Sequence, residues 1–406
     1  MVIHVDYARR QRTVEGHALP TKVGGECVPS YPDFASLRRA DEAKMNGERT
    51  RTSTEIYPGD VPPEATTIER RISHMVGLDP RNIIVYDSGM GAIQNLLELE
   101  GPTTGTVVLH GVDEYARTKK YIEKKLGRQR GVRTPFVYTA SIEEIAEGIE
   151  SHRPDIIFLE TVGNGPNVPV IDLDGFFAID ALKEINPFII FDNTLPTPTL
   201  IPPLELLREG FRVAVIESGI KAYSRNGEMI GVAFVEDEQM LAELIDDRIT
   251  TRRSPFTSQG RRLSDYVRGR RDDFDEKNLR TMWNSLQLAQ ACYEAQGDGS
   301  AFTVSHPNVG DHPNREYADL HFPGGASPLF YIQVTGAKTR DEIAMTLQDD
   351  PNVNALIEKG HSFGTRYTRV FPDPIGNVIR VSAGLEEADR IEELGRNLRR
   401  TLSAIS

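Results

Sequence analysis

The sequence is poor in cysteine and has no long apolar run. Its two cysteines, Cys27 and Cys292, lie far apart and lack the spacing of metal ligands. Such sparse usage is typical of a reducing cytoplasm and argues against a disulfide-stapled fold and a zinc site, so we expect no metal. No stretch of about 18 apolar residues occurs, and the opening residues MVIHVDYARRQR lack the apolar core of a secretory signal. We therefore expect a cytoplasmic protein without a membrane-spanning segment.

Basic residues are outnumbered by acidic ones. The 406 residues include 47 lysines and arginines against 60 aspartates and glutamates, a formal net charge of -13. This charge repels nucleic acid and anionic lipid, so neither is an expected partner. The arginine-rich stretch 250–271 is a local exception, and it favours a solvated helix face or an ion-pair surface between subunits over a polyanion site. With 39% hydrophobic residues, the chain can bury a sizeable core.

From Ile68 onward, short apolar runs alternate with longer helical patterns. The runs NIIVYDSG, TGTVVLHG, PFVYTA, DIIFLET, NPFIIFDNT and VAVIESGIK are typical of strands separated by helices. Strands this apolar are buried on both faces, which predicts an α/β fold with a mostly parallel sheet. After about Asp247 the pattern loosens into a long helix, the strands FYIQVTG and VIRVSAG, and further helices. We predict a polar N-terminal arm at 1–60, an α/β domain at 61–250 and an α+β domain at 251–406.

Charged side chains follow two of these apolar runs. Ligands of such sheets bind beyond the carboxyl ends of the strands, which is where Asp192 and Lys221 lie. Burying an isolated ammonium or carboxylate is costly. A lysine in this place serves as a counter-ion, or as an amine whose lowered pKa suits imine chemistry. On these two residues alone, a simple ion pair stays open as an alternative.

A third feature is the segment DSGMGA, residues 87–92, between a strand and a helix. Its backbone N–H groups lie at the positive end of the helix, which predicts a phosphate cradle. The segment lacks the GxGxxG and GK[ST] patterns of other phosphate-binding loops. An anchor for phosphate, an imine-forming amine and a carboxylate for a ring nitrogen are together what pyridoxal 5'-phosphate needs.

Five segments in the same order resemble the Cys/Met-metabolism, or trans-sulfuration, family of fold-type-I pyridoxal-phosphate enzymes. These are DSGMGAI, ETVGNGPNVPVIDL, FDNTLPTPTLIPPLELLREG, ESGIKAYSRNGEMIG and VIRVSAGLE. The likeness runs from about Tyr57 to the C-terminus. It implies the fold-type-I transferase fold and a γ- or β-elimination or replacement on a side-chain-substituted L-amino acid, by way of an external aldimine and, for γ chemistry, a vinylglycine-type intermediate. It also implies a homodimer or homotetramer with sites at the subunit interface.

The resemblance assigns roles to individual residues. Lys221 would hold the cofactor as an imine and move protons, and Asp192 would keep the pyridine nitrogen protonated. Tyr115 would stack on the ring and help activate the amine or the leaving group, although by itself it is typical of a core aromatic at a helix start. The other assigned residues are Ser88, Gly89, Met90, Ser218 and Tyr57 for the cofactor, Asn164 for cofactor and substrate, and Arg380 and Ser362 for the substrate. Taken alone, Arg380 is typical of a surface strand.

Two phosphate-binding residues of the family are missing. Pro58 and Gly59 follow Tyr57 where the family has an arginine that reaches the neighbour's phosphate. Arg49 or Arg51 could replace it, or the phosphate is held more weakly. Ile220 also stands in place of a phosphate-binding threonine. The chain is therefore expected to be a divergent member.

Arg117 occupies a position that is usually small in the family, near where a substrate side chain would lie. It could select a side chain that carries a carboxylate or another electronegative group, or it could simply be solvent-exposed. The segment between Ser362 and Arg380 is also shorter than usual, which indicates a non-standard substrate. Transamination, retro-aldol cleavage and a non-catalytic binding protein stay open as alternatives.

Overall fold

The computed structural model describes residues 63–251, 253–255, 262, 271–297, 300–336, 338–360, 362–373 and 377–404. The predicted arm at 1–60, with Tyr57, lies outside the described residues, as does most of the arginine-rich stretch. The α-helices are α1 Pro63–Val76, α2 Gly89–Leu99, α3 Ala116–Lys120, α4 Ile142–His152, α5 Leu173–Ala178, α6 Asp180–Ile185, α7 Thr197–Leu200, α8 Pro203–Leu206, α9 Gly219–Ala222, α10 Glu238–Thr250, α11 Arg271–Tyr293, α12 Arg315–His321, α13 Arg340–Asp349, α14 Pro351–Asn354 and α15 Ala388–Ser403. A 3-10 turn at Pro80–Asn82 precedes the first strand, and a π-helix at Tyr121–Arg128 continues α3.

Seven strands form the first sheet. They are β1 Ile83–Tyr86, β2 Val108–Gly111, β3 Phe136–Val137, β4 Ile156–Glu160, β5 Phe188–Asp192, β6 Arg212–Glu217 and β7 Gly231–Val235, in the order β1-β7-β6-β5-β4-β2-β3. The pairs from β6 to β3 are parallel, whereas β7 runs antiparallel to both of its neighbours. The predicted α/β fold with a mostly parallel sheet is confirmed, but the sequence pattern did not predict β7.

Both faces of this sheet are buried, as its apolar strands predict. Along β5, Ile189 and Phe191 face a core shared with α1, α5 and α6, while Phe188 and Ile190 face a core shared with α2, α10 and the π-helix. Successive side chains of a strand point to opposite faces, so two layers of helices are needed to cover the sheet. Each fully buried side chain of this kind contributes about 1.5–3 kcal/mol.

The strands of the second sheet are β8 Phe302–Ser305, β9 Leu329–Val334, β10 Glu358–Lys359, β11 Arg369–Pro372 and β12 Val378–Ser382. Their order is β10-β11-β12-β9-β8, and the sheet is antiparallel except between β10 and β11. Leu288 of α11 and Leu398 of α15 cover one face. Tyr331 of β9 instead joins the core that contains the first sheet, and this contact brings β9 and β12 against the loops after β4. No helix in the described part of the chain is long and apolar enough to cross a membrane.

Candidate active site

A cavity of about 360 Å³ lies at the carboxyl ends of the parallel strands, where Glu160 ends β4 and Asp192 ends β5. This volume is in the range of small-molecule sites. The predicted site residues that line it are Ser88, Gly89, Met90, Tyr115, Arg117, Asn164, Asp192, Ser218, Lys221 and Arg380. Ser362 reaches the same place by a hydrogen bond to Lys221. The structure thus brings together every predicted site residue that it describes.

The phosphate cradle is formed by the start of α2 and the end of β6. Ser88 caps α2 because its Oγ accepts a hydrogen bond of 3.0 Å from the Gly91 N–H. A Cβ at Gly89 would lie 2.8 Å from Cβ and 2.9 Å from Oγ of Ser218, so only glycine allows these two segments to approach so closely. The first N–H groups of a helix have no partner within the helix. Ser88 takes the Gly91 N–H, and the N–H groups of Gly89 and Met90, which have no partner among the described residues, are available to an anion in the cavity.

Lys221 lies in α9, directly after β6. Its Nζ donates hydrogen bonds to Ser362 Oγ and to Asn226 Oδ1, the latter at 3.5 Å, and it lies 5.3 Å from the centre of the Phe363 ring. Burial lowers the pKa of Lys221 to about 7, and the positive charges of Arg380 and Arg369 act in the same direction. A large fraction of the amine is thus neutral near pH 7, and a neutral amine has the lone pair that imine formation requires.

Asp192 forms a buried pair of carboxyl groups with Glu160, because the two residues are paired across β4 and β5. Burial raises the pKa of Asp192 to about 6, although hydrogen bonds from Thr194 oppose the shift. Burial also raises the pKa of Glu160, and Asp192 adds to that effect. Two buried acids without a bound cation are unfavourable. The arrangement therefore suits a ligand that brings a protonated nitrogen.

Glu160 stands among the polar residues at the strand ends in the sequence but was assigned no role, yet it orients two predicted site residues. Its Oε1 accepts a hydrogen bond of 2.6 Å from the Tyr115 N–H, and its Oε2 accepts one of 2.8 Å from the Asn164 N–H. One carboxylate thus fixes the loops after β2 and β4. The signal available in the sequence was a glutamate at the end of the apolar run DIIFLE.

Arg380 of β12 is buried, so its interpretation as a surface strand residue is wrong. Its Nη1 donates hydrogen bonds to Asn164 Oδ1 at 2.8 Å and Tyr331 Oη at 3.2 Å, and its Nε donates to Ser382 Oγ at 3.2 Å. These acceptors are neutral, and no bond from Nη2 is found among the described residues. A buried guanidinium with only neutral partners favours an anionic ligand.

Tyr331 was also missed. Besides accepting from Arg380, its hydroxyl donates a hydrogen bond of 2.9 Å to the Asn164 carbonyl oxygen. Tyr331 therefore ties the second sheet to the loop after β4. No feature of the run FYIQV distinguishes this tyrosine from an ordinary core residue, and it is 167 positions away from Asn164 in the chain.

Three groups lining the cavity match the chemistry of pyridoxal 5'-phosphate. The start of α2 with Ser218 suits the phosphate, Asp192 suits the ring nitrogen, and Lys221 suits the aldehyde carbon. The described residues contain no cluster of three or more His, Cys, Asp or Glu side chains that could hold a metal ion. The arrangement can hold an anion, an aromatic cation and a second anion at Arg380 in one cavity.

Comparison with known proteins gives the same picture. A family model described as Cys/Met metabolism PLP-dependent enzyme matches residues 32–260. The chain is 30% identical over 209 residues to an L-methionine gamma-lyase of Fusobacterium nucleatum, covering 50% of this chain and 49% of the relative. It is 30% identical over 177 residues to a cystathionine beta-lyase of Coxiella burnetii, covering 43% of each. The matched segments thus span about half the length of these relatives or less.

A solved structure extends the likeness over most of the chain. The cystathionine gamma synthase of Xanthomonas oryzae pv. oryzae in complex with cystathionine superposes with a TM-score of 0.69 at 18% identity. The superposition covers 88% of this chain and 89% of that chain. At this identity the likeness establishes the fold.

Proposed function

Because the chain belongs to the Cys/Met-metabolism family of pyridoxal-phosphate-dependent enzymes, we propose that it eliminates or replaces a side-chain group of an L-amino acid. The group leaves from Cγ or from Cβ. The observation that carries this proposal is the amine of Lys221, with its lowered pKa, in one cavity with the buried acid Asp192 and the open start of α2. Bound pyridoxal phosphate supplies a ring that accepts the electron pair left when the Cα proton departs.

Asp192 and Lys221 divide the proton chemistry between them. Asp192, held by the Thr194 N–H, keeps a proton on the ring nitrogen through a charge-assisted hydrogen bond. Lys221 in its neutral form takes the proton from Cα, and a second one from Cβ if the leaving group is on Cγ. Ser362 and Asn226 position Nζ of Lys221 through hydrogen bonds, and Tyr115 lines the site next to the start of α3.

Arg380 binds the α-carboxylate of the substrate. Its Nη2 is available for this contact, and the planar guanidinium suits a two-point interaction with a carboxylate. Asn164 orients Arg380 through Oδ1, which leaves its amide nitrogen for the cofactor's 3'-oxygen. Together these contacts fix the Cα–H bond relative to Lys221, which is what positioning contributes to catalysis.

Assembly, location and domain division are part of the same proposal. We expect a cytoplasmic homodimer or homotetramer in which Tyr57 completes a neighbour's site, with an arm at 1–60 and a domain boundary near 250.

The test is product analysis. The holoenzyme is incubated with a panel of L-amino acids carrying thioether, ester or halide groups at Cγ or Cβ, and the products are identified by mass. We expect a released leaving group with ammonia and a 2-oxo acid, or a replacement product when a thiol is added. A 2-oxo acid that keeps its substituent, without ammonia, would instead mean transamination. Protein that shows no visible absorption band with pyridoxal phosphate would be a non-catalytic binder.

A further inference from the structure

Arg117 differs from the other charged side chains that line the cavity. Glu160, Asp192, Lys221 and Arg380 each make hydrogen bonds to neighbouring groups. Within the described residues, the Arg117 side chain makes no hydrogen bond or ion pair, although it lines the same cavity. A guanidinium offers five N–H donors in a fixed plane, so the Arg117 side chain can use all of them to bind an anion.

The backbone of Arg117 is fixed by its neighbours. Glu160 holds the Tyr115 N–H, and the Tyr115 carbonyl accepts a hydrogen bond of 3.0 Å from the Lys119 N–H. Thr118 is fully buried, with its Oγ1 3.8 Å from the sulfur of Met90. Arg117 itself is exposed, so it lies at the mouth of the cavity on a rigid turn of helix.

The position at the mouth favours a substrate side chain over the cofactor phosphate as the ligand. The phosphate cradle is built at the buried Gly89, which packs against Ser218. Much of the remaining lining is apolar, including Val162, Leu195 and Phe363. A substrate held at Arg380 therefore has, in the same cavity, an apolar lining for its side chain and a guanidinium without a partner among the described residues.

We propose that Arg117 is a specificity-determining residue that selects amino acids whose side chain ends in a carboxylate or another oxyanion. The selection rests on the proposed function, since the substrate must first be held by Arg380 and the cofactor. A carboxylate can accept two parallel hydrogen bonds from the guanidinium, which gives both geometry and charge. A neutral side chain of the same shape leaves Arg117 solvated and gains nothing from it.

A matched pair of substrates separates the effect of the negative charge on the substrate side chain from the effect of its shape. S-(2-carboxyethyl)-L-homocysteine and its carboxamide, S-(2-carbamoylethyl)-L-homocysteine, differ only in one terminal group. In γ-elimination the Cγ–S bond breaks, the sulfur leaves as a thiol with one proton, and one water is consumed to give 2-oxobutanoate and ammonia. The corresponding S-substituted cysteines cover the β case, with pyruvate as the oxo acid. Thiol release gives kcat/KM for each compound.

The holoenzyme and its Arg117→Gln and Arg117→Lys variants are compared. We expect the parent to prefer the carboxylate over the carboxamide by about tenfold in kcat/KM, with the difference mainly in KM. Arg117→Gln removes this preference, so the ratio of kcat/KM between the two compounds falls to about one. Arg117→Lys keeps part of it, because lysine offers charge without the two-point geometry. Arg128→Gln, an equal charge change at an exposed residue outside the cavity lining, keeps the full preference.

Two further measurements separate the ways in which the inference can fail. The dissociation constant of pyridoxal phosphate is measured for each variant, and an increase of several-fold in Arg117→Gln with equal losses for both substrates would assign Arg117 to the phosphate and overturn the inference. Equal turnover of both compounds by the parent would overturn it while leaving the proposed function intact. If neither compound is turned over, the wider panel of esters and halides decides on the proposed function, since an enzyme that replaces such a group need not cleave a thioether. The dissociation constants of the two compounds, from the absorbance change of the bound cofactor, then decide on Arg117 alone.

Discussion

Lys221, Ser362 and Asn226 form a small hydrogen-bond network around the reactive amine. Ser362 Oγ donates a hydrogen bond of 2.7 Å to Asn226 Oδ1, and Asn226 Nδ2 donates one of 2.7 Å to the Phe363 carbonyl oxygen. Asn226 has a positive φ of 65°, a conformation that asparagine and aspartate tolerate better than most residues. The loop 362–364 and the turn after α9 therefore fix Nζ from two sides.

Replacing Lys221 by alanine should abolish turnover while leaving the fold intact. The side chain supplies the amine and the proton transfers, so we expect a loss of at least about 10³-fold in kcat. Far-UV circular dichroism and the thermal midpoint should stay close to those of the parent, because the methylenes of Lys221 are a small part of the core. Lys120→Ala, on the exposed face of α3, serves as the matched control and should keep full activity. Full activity in Lys221→Ala would contradict the assignment.

Asn226→Asp should shift the pH dependence of the reaction. It places a carboxylate where Oδ1 now lies, 3.5 Å from Nζ, and a negative charge stabilises the ammonium form. The pKa of Lys221, now about 7, should rise, so activity at pH 7 falls and recovers as the pH is raised. We expect the acidic limb of the kcat/KM profile to move up by about one pH unit. A loss that is equal at every pH would instead indicate damage to the loop.

At the scale of elements, acidic residues lie at the carboxyl ends of neighbouring strands in the first sheet. β6 ends at Glu217, which is buried; its Oε2 accepts a hydrogen bond of 2.7 Å from Tyr223 Oη and its Oε1 accepts one of 3.0 Å from Asn193 Nδ2. Burial raises the pKa of Glu217 to about 8, against the effect of these hydrogen bonds. Glu217 therefore belongs to the support of the site rather than to its lining.

Glu217→Gln should flatten the dependence of stability on pH. The unfolded chain releases this proton near pH 4.5, whereas the folded protein keeps it until about pH 8. Between these values the folded state binds more protons, so the free energy of unfolding falls as the pH rises. Glutamine cannot ionise, and urea unfolding between pH 5 and 8 should show a smaller fall. Glu150→Gln, at an exposed position, should behave like the parent. Identical pH dependence in the parent and Glu217→Gln would show that Glu217 ionises normally.

The sequence predicted the strands that follow the βα alternation and missed those that do not. β7 returns directly beside β6 without a long crossover helix, and β8, β10 and β11 are short strands within stretches rich in glycine, proline or charge. The segment GFFAIDALKEIN, residues 175–186, has one continuous helical pattern, yet the structure divides it between α5 and α6 because Ile179 adopts an extended conformation with ψ of 114°. Local pattern specifies where apolar runs occur, but not which neighbour each strand finds.

The residues of the site also differ in whether their own segment of sequence indicates their role. Asp192, Lys221 and the start of α2 carry signals within their own segments, since each is a polar group at the end of an apolar run. Tyr331 and Asn226 carry none, because their function comes from contacts with Asn164 and Ser362, which are more than 130 positions away. Such partners become visible only when the two sheets are packed together.

At the scale of the whole molecule, the central question is whether one chain completes its own site. Tyr57 is proposed to act on a neighbour, and this can be tested by mixing subunits that carry different defects. Lys221→Ala lacks the amine, and Tyr57→Ala lacks the group supplied in trans. In a hybrid dimer, the site on the Tyr57→Ala subunit has its own Lys221 and receives an intact Tyr57 from its partner. Random reassociation of equal amounts gives half hybrids with one native site of two, so activity should recover to about a quarter of the parent value.

Activity recovers only if Tyr57 contributes to the site of the neighbouring subunit, so the experiment distinguishes this case from action within its own subunit. If Tyr57 acts within its own subunit, no site in any hybrid has both groups, and mixing restores nothing. In a second preparation, the two variants are co-expressed with different affinity tags, so that hybrids can be isolated and counted directly. A hybrid of Lys221→Ala with the parent is the matched control and should retain half of the sites, since each remaining Lys221 has an intact neighbour. A hybrid of the two variants that is isolated and inactive, beside an active control hybrid, would contradict a site shared between subunits.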